Sequence, residues 1–299
     1  MSLPMERKRA LVSAGEMAYV DMGDGPPVLL LHGFPTSADL WRREAWLFAQ
    51  RMRVIAPDLI GYGESAKPPE ADLSEPAQAE YVRELLASQS VEELAIVGHD
   101  IGGAIAQMLA LDGGLDVRAL VLLDSACFEA WPVEGVRLIQ AVLPEQETVQ
   151  FLEDILRAAF ALGIAHQGRI EPGAVDAYIR NWSEDPPAFF RAVRSLTGKG
   201  LAGRDAELGG LDLPALIIWG EEDPFLPAEL AERLGEALPA STIALLPGCS
   251  HFVSEDAPQT VGPLLYEFLR SRYLGETHGH GHQDGPVTVV LERPLEGFD

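Results

Sequence analysis

Short apolar runs bounded by turn residues recur along the chain and determine its predicted secondary structure. Because the runs are almost entirely apolar, each predicts a strand that is buried on both faces, as in a parallel sheet. Segments with helical periodicity separate several of them, at 76–89, 101–111 and 227–238. This alternation predicts a doubly wound α/β sheet. The strand runs occupy residues 27–31, 54–57, 94–97, 119–123, 215–219 and 242–246.

The start of the chain has a different pattern. Residues 19–21 are followed by a turn of glycine, aspartate and proline at 23–26. Gly and Asp at adjacent turn positions are typical of a hairpin. We therefore expect the first strands of the sheet to be antiparallel.

The strand and helix alternation breaks between residues 125 and 210. We interpret this stretch as a helical cap over the carboxyl ends of the strands, where open α/β sheets bind ligands. Two extra helices without a covering role are the alternative. The predicted domains are a core of residues 1–124 and 211–273 and a cap of residues 125–210. The helical segments of the cap are 136–143, 147–161, 173–182 and 187–196.

The tail, residues 274–299, is expected to be flexible. His278, His280 and His282 alternate with other residues in it, and the apolar run 287–291 follows them. Alternating histidines can bind a transition metal adventitiously. We assign metal no role in the function.

Charge and composition limit the classes of molecule that the protein is expected to bind. The 299 residues carry 22 basic and 46 acidic side chains, a net charge of −24. Such a surface repels phosphate backbones and anionic lipids, so we expect neither nucleic acid nor a membrane as partner. Residues 1–10 lack the apolar segment of a signal peptide. Cys127 and Cys249 are too few for a disulfide framework, which favours a cytoplasmic protein.

The most informative motif lies at residues 98–102, Gly-His-Asp-Ile-Gly. It fits the G-x-S-x-G pattern of a nucleophile elbow, with Asp100 in place of the serine, and lies between a predicted strand and a predicted helix. Further motifs follow the other strands in a fixed order. These are His-Gly-Phe-Pro at 32–35, a glycine-rich turn at 58–65, Asp223 after the seventh strand and His251 after the eighth.

With these motifs, residues 10–273 resemble the α/β-hydrolase superfamily. Asp100 makes the chain similar to the branch that contains epoxide hydrolases and haloalkane dehalogenases. The resemblance implies an α/β-hydrolase fold, with a mostly parallel, eight-stranded, doubly wound sheet and a helical cap insertion. It also implies that no cofactor is needed, that Asp100 is the nucleophile, and that the amides of Phe34 and Ile101 form an oxyanion hole.

The implied chemistry has two steps. Asp100 displaces a leaving group from alkyl carbon and becomes an alkyl ester, and His251 then activates a water that attacks this ester. Asp223 orients His251 and stabilises its charged form. Asp124, at the end of the sixth strand, is the alternative acid, because some members of the aspartate branch carry their acid there.

The residues around the nucleophile favour epoxide over halide. Ile101 stands where dehalogenases usually carry a tryptophan, and Phe34 replaces the asparagine that some carry. An epoxide needs a proton donor, and Tyr178 is the only tyrosine of the predicted cap. His166 is a candidate second donor.

The remaining expectations concern the pocket and the substrate. Trp131 and Trp182 are candidate pocket residues that either donate through the indole N–H or pack. Aromatic residues of the cap predict a small, neutral, apolar substrate, with water as co-substrate. Epoxide hydrolysis is preferred. Haloalkane dehalogenation, ester or lactone hydrolysis, and a catalytically silent binding protein are the alternatives.

Overall fold

The computed structural model describes residues 5–276 and 287–290 and contains one mixed sheet. Its strand order is β1-β2-β4-β3-β5-β6-β7-β8-β9. The β1–β2 and β2–β4 pairs are antiparallel, and every later pair is parallel. The expected antiparallel start and parallel remainder are confirmed. The strands are β1 (Lys8–Val12), β2 (Gly15–Met22), β3 (Pro27–Leu31), β4 (Arg53–Pro57), β5 (Glu93–His99), β6 (Asp116–Leu123), β7 (Ala215–Gly220), β8 (Ser241–Leu246) and β9 (Val287–Val290).

Strands β1 to β8 form the expected eight-stranded, mostly parallel sheet, and a ninth strand extends it beyond β8. β9 lies within the tail that we expected to be flexible, and it pairs in parallel with β8 from Thr242↔Val287 to Leu245↔Val290. Valine-rich segments fit a pleated sheet well, and β8 would otherwise leave an unpaired edge. The histidines at 278, 280 and 282 lie outside the described residues.

Helices cover both faces of the sheet. Alternate side chains of β3 enter opposite cores: Leu29 and Leu31 face one, and Val28 and Leu30 face the other. This is the burial that the nearly continuous apolar runs predicted. The α-helices are α1 (Glu44–Phe48), α2 (Glu75–Ser88), α3 (Ile101–Leu111), α4 (Glu134–Gln140), α5 (Val149–Gly163), α6 (Ala174–Ser183), α7 (Pro186–Ser195), α8 (Asp205–Leu208), α9 (Glu229–Ala237), α10 (Val253–Asp256) and α11 (Pro258–Phe268).

Only helices and turns lie between the end of β6 and the start of β7. α4 to α7 coincide with the four predicted helical segments to within a few residues at each end. Their start signals are readable in the sequence: the Thr148 side chain accepts from the Phe151 amide before α5, and Asp185 accepts from the Ala188 amide before α7. Such side chains satisfy amides that have no partner inside the helix.

One buried carboxylate joins both ends of this helical segment to the core. Glu75, at the start of α2, accepts from the indole nitrogen of Trp131 at 2.6 Å and from the amide and hydroxyl of Thr197 at 3.1 and 3.2 Å. Trp131 follows β6, and Thr197 follows α7. Several hydrogen-bond donors therefore stabilise the Glu75 carboxylate. The two connections between the helical segment and the core meet at this side chain.

A second polar cluster joins α6 to the core. The Arg42 guanidinium binds both carboxylate oxygens of Glu255 at 2.6 and 2.8 Å, and it binds Glu171 at 2.6 Å. The Tyr178 hydroxyl of α6 donates to Glu255 at 3.2 Å. Breaking one partner of such a buried pair is costly, so the cluster holds the helical segment against the core. Within the described residues, no helix is long and apolar enough to cross a membrane.

Candidate active site

Asp100 lies in a strained turn between β5 and α3. Its backbone has φ 51° and ψ −120°, in the region of positive φ that non-glycine residues rarely adopt. The glycines of the motif make the turn possible. A Cβ on Gly98 would lie 2.4 Å from the Gly102 carbonyl oxygen, and one on Gly102 would lie 2.3 Å from that of Leu31. The turn therefore holds the Asp100 side chain at the carboxyl end of β5.

Two backbone amides donate to the Asp100 carboxylate. The Phe34 amide lies 2.9 Å from Oδ2, and the Ile101 amide also binds the group. Gly33 permits this close approach, since a Cβ there would lie 2.5 Å from the Asp100 Cβ. The predicted oxyanion-hole residues thus lie at the nucleophile position with their N–H groups directed at its carboxylate.

The Asp100 carboxyl group is buried, with a residue exposure of 2%. Burial raises its pKa to about 6, against the lowering effects of His251 and of the Ile101 and Phe34 amides. The charge of Asp223 adds to the rise. A carboxylate with this pKa is ionised at neutral pH and more basic than an exposed aspartate.

The side chains of His251 and Asp223 form a hydrogen-bonded pair. His251 Nδ1 lies 2.8 Å from Asp223 Oδ2. The other oxygen, Oδ1, accepts from the amides of Phe225 at 2.8 Å and Leu226 at 3.0 Å, which fixes the orientation of the carboxylate. Burial alone would lower the pKa of His251, but the charge and hydrogen bond of Asp223 and the charge of Asp100 raise it.

Asp124 occupies a different environment. Its Oδ1 accepts from the Gly220 amide at 2.8 Å, and its Oδ2 has no hydrogen-bond partner among the residues described. Burial, together with the charge of Asp223, raises the pKa of Asp124 well above its ordinary value. The surroundings of Asp124 therefore favour its neutral form more than those of an exposed aspartate do. Of the two predicted acids, Asp223 is the one within hydrogen-bond distance of His251.

Two further histidines shape the loops of the site. His99 Nε2 donates to the main-chain carbonyl of His251 at 3.0 Å. Burial, followed by the charge of His251, lowers the pKa of His99 well below its ordinary value, so the ring is neutral. His32 lies 3.0 Å from both the Gly33 carbonyl and the Leu59 amide, and joins the two loops. The contact of His99 with the His251 loop cannot be read from the motif.

The two tryptophans predicted for the pocket use their indole N–H groups in structural contacts. Trp182 donates to the Pro35 carbonyl at 2.7 Å. Trp131 donates to Glu75 at 2.6 Å. These bonds occupy the donors that a halide would need.

The other two predicted pocket residues also contact the core. The Tyr178 hydroxyl lies within hydrogen-bond distance of Glu255 and Arg42, at 3.2 and 3.3 Å. The His166 amide donates to Asp256 at 2.7 Å. Tyr178 lines a cleft of about 420 Å³ that does not include Asp100 or His251. The residues of this cleft are Asp39, Arg42, Glu171, Pro172, Gly173, Ala174, Ala177 and Tyr178.

Aromatic rings surround the candidate site. Phe34 lies between Tyr62, Trp182 and Phe189, with ring centroids 5.5 to 6.4 Å apart. On the other side, the rings of Phe225 and Phe252 lie 5.3 and 4.9 Å from that of His251. Such walls favour a neutral, apolar ligand. In the described part of the chain, no group of three or more His, Cys, Asp or Glu residues could hold a metal ion.

The chain is similar to known proteins over most of its length. Residues 26–258 match the model of the α/β-hydrolase fold family. Haloalkane dehalogenase 2 of Mycobacterium tuberculosis is 29% identical over 279 residues, with 88% of this chain and 95% of the relative covered. The 2-hydroxymuconate semialdehyde hydrolase of Pseudomonas sp. is 26% identical over 273 residues, covering 87% and 93%.

A solved structure shows the same architecture. An α/β-hydrolase fold protein from Burkholderia ambifaria superposes with a TM-score of 0.82 at 25% identity, covering 89% of this chain and 99% of its own. The family match spans well over half of the residues and includes the turn at Asp100, the loop at Phe34 and both partners of the His251–Asp223 pair. The chain therefore belongs to the α/β-hydrolase fold family.

Proposed function

We propose that this hydrolase forms an alkyl ester on Asp100 and preferentially opens epoxides. The observation that carries the proposal is the buried carboxylate of Asp100 at the elbow, with its Oδ2 bound by the Phe34 amide at 2.9 Å. A carboxylate displaces leaving groups from alkyl carbon well. It is a poor nucleophile toward acyl carbon, because the anhydride that would form is no more stable than the acyl substrate. Oδ2, held by the Phe34 amide, remains in place while Oδ1 attacks.

The same amides serve the second step. Water activated by His251 attacks Cγ of the ester, and the negative charge develops on the former carbonyl oxygen of Asp100. Because the Phe34 and Ile101 amides already donate to this group, they stabilise the oxyanion without reorganisation. Asp223 holds the proton on Nδ1 of His251, which leaves Nε2 free to accept a proton from water.

The donors around Asp100 support an epoxide rather than a halide. A departing halide is stabilised by N–H groups, but both indole N–H groups of the predicted pocket are engaged, and Ile101 has no side-chain donor. An epoxide needs an O–H donor. The aromatic walls suit a small, neutral, apolar substrate, and the net charge of −24 disfavours an anionic one.

Haloalkane dehalogenation is the second candidate. It is supported by the similarity to haloalkane dehalogenase 2, which extends over nearly the full length of both chains. Ester or lactone hydrolysis is a third, supported by the similarity to a 2-hydroxymuconate semialdehyde hydrolase. A catalytically silent binding protein would have no need for the His251–Asp223 pair.

Trapping the ester tests the proposal. In the His251→Gln variant the first step is kept and the second is blocked, so we expect an adduct on Asp100. The intact mass after incubation with 2-phenyloxirane rises by the mass of the whole epoxide, whereas a haloalkane adds only its alkyl group. The His251→Gln/Asp100→Asn double variant is the control and gains no mass. Absence of adducts with a panel of epoxides and haloalkanes would contradict ester formation.

The two steps are expected to differ in their dependence on pH. Burial raises the pKa of Asp100 to about 6, and only the ionised form attacks, so the first step becomes faster as pH rises through about 6. In the free enzyme, Asp223 and Asp100 raise the pKa of His251 despite its burial. The ester of Asp100 carries no charge, so Asp223 alone raises this pKa during the second step, and the rate of that step rises with pH as the imidazole becomes neutral. Rapid-quench mass measurements between about pH 5 and 9 give both rates. A first step unchanged across this range would contradict the assignment.

A further inference from the structure

Tyr62 carries a buried hydroxyl group without a hydrogen-bond partner among the described residues. It lies in the turn after β4, at the position between Gly61 and Gly63. Its exposure is zero, and its ring packs edge-on against Trp182 with centroids 5.1 Å apart. A buried O–H is nearly always paired, because leaving it unpaired costs free energy. An exception beside a candidate active site indicates a partner that arrives with the substrate.

The surroundings of Tyr62 disfavour ionisation of its hydroxyl group. Burial, followed by the charges of Glu75 and Asp100, raises the pKa of Tyr62 well above its ordinary value. The group is therefore an intact O–H at neutral pH. Glu75 already accepts from Trp131 and Thr197. The hydroxyl is thus a donor that no acceptor among the described residues engages.

The other donors predicted for this role are occupied. The Tyr178 hydroxyl bonds to Glu255, and Trp182 donates to the Pro35 carbonyl. Tyr62 contacts Trp182 and, at a centroid distance of 6.4 Å, Phe34, whose amide binds the Asp100 carboxylate. It therefore belongs to the wall that adjoins the nucleophile, on the core side rather than the cap side.

We propose that Tyr62 is a catalytic residue that donates its proton to the departing oxygen of an epoxide while Asp100 attacks the ring carbon. The inference rests on the proposed function. In this step a carboxylate oxygen of Asp100 forms a bond to carbon, and the ring C–O bond breaks with its electron pair going to oxygen. The Tyr62 proton neutralises that oxygen. When the ester is hydrolysed, the proton that His251 takes from water returns, through solvent, to the Tyr62 phenolate.

Alkylation of Asp100 and proton transfer from Tyr62 are coupled through the charge of Asp100. Before the reaction, the charge of Asp100 opposes ionisation of Tyr62. Alkylation converts Asp100 into a neutral ester, so this opposing charge disappears as the alkoxide forms. Tyr62 therefore becomes a better acid during the step that needs its proton, and it remains a poor one before substrate reacts.

Rates of adduct formation test the inference in the His251→Gln background. We expect Tyr62→Phe to slow reaction with 2-phenyloxirane by about 10²-fold, the usual contribution of a positioned acid. Benzyl bromide, whose leaving group needs no proton, should react at a rate within about threefold of the parent. Because the lost hydroxyl has no partner, the melting temperature should not fall. Tyr81→Phe makes the same chemical change at a half-buried hydroxyl that bonds to the Asp72 carbonyl, and should alter neither rate.

Three other outcomes are possible, and the first two would contradict a catalytic role for Tyr62. Equal slowing of both reagents, or a lower melting temperature, would assign Tyr62 a structural role. An unchanged epoxide rate in Tyr62→Phe, with a large loss in Tyr178→Phe, would assign the proton to the cap. Absence of any adduct in the parent His251→Gln protein would instead contradict the proposed function itself, so the two failures are distinguishable.

Discussion

Replacing Asp100 with asparagine is expected to lower hydrolysis at least about 10⁴-fold, because it removes the nucleophile on which both steps depend. The amide keeps the size of the side chain and an oxygen that can face the Phe34 and Ile101 amides. The loss should therefore reflect chemistry alone. Steady-state hydrolysis of 2-phenyloxirane measures it, and circular dichroism checks the fold. A variant that kept more than a few per cent of the activity would contradict nucleophilic catalysis by Asp100.

The same variant is expected to be more stable than the parent at alkaline pH. The folded protein raises the pKa of Asp100 from 3.8 to about 6, so above about pH 6 it holds a charge that burial disfavours. The shift corresponds to about 3 kcal/mol lost from the free energy of unfolding, which the neutral asparagine restores. The gain is complete above about pH 6 and disappears as pH falls toward 4. Thermal unfolding of both proteins at about pH 8 and pH 5 tests whether the stability difference has this sign and this pH dependence.

Such a trade between stability and activity is expected at an active site. Asp100 combines a positive φ of 51° with a buried charge, and both features oppose folding. Packing of the sheet around β5 offsets this unfavourable free energy, because the strands on both sides of β5 are buried. The glycines of the elbow remove the steric clashes that other residues would cause. The site therefore lies at the end of a strand whose residues are almost all buried.

The sheet and the elbow could be predicted because their signals are local. Apolar runs identified the buried strands, and the glycines around Asp100 indicated a turn that only glycine permits. The order of Asp100, Asp223 and His251 along the chain then placed all three at the carboxyl ends of neighbouring strands, since a doubly wound sheet brings those ends together. Their catalytic roles stay predictions.

The remaining features depend on contacts between distant segments. Nothing in residues 287–290 alone shows that they pair with β8, because the unpaired edge exists only in the folded sheet. The indole of Trp131 could reach either substrate or a carboxylate, and its pairing with Glu75 requires the segment between β6 and β7 to pack on α2. For Tyr62, the glycines at 61 and 63 indicated a structured turn, but burial of the hydroxyl without a partner became visible only in three dimensions.

Asp223→Asn is expected to slow hydrolysis of the Asp100 ester about 10³- to 10⁴-fold, through the tautomer of His251. Asp223 Oδ1 accepts from the amides of Phe225 and Leu226, so an asparagine must keep its oxygen there. Its NH₂ group then faces Nδ1 of His251 and donates to it. The imidazole proton moves to Nε2, and that nitrogen can no longer accept a proton from water. The first step needs no base, so the ester accumulates.

Asp124→Asn is the matched control for this prediction. Burial favours the neutral form of Asp124, and its only hydrogen bond among the described residues, from the Gly220 amide to Oδ1, is one that an asparagine oxygen also accepts. We expect its turnover to stay within about threefold of the parent. Intact mass during turnover distinguishes the variants: the ester mass dominates in Asp223→Asn and is minor in Asp124→Asn. The reverse result would assign the orienting role to Asp124, and ester accumulation in neither variant would show that His251 acts without an acidic partner.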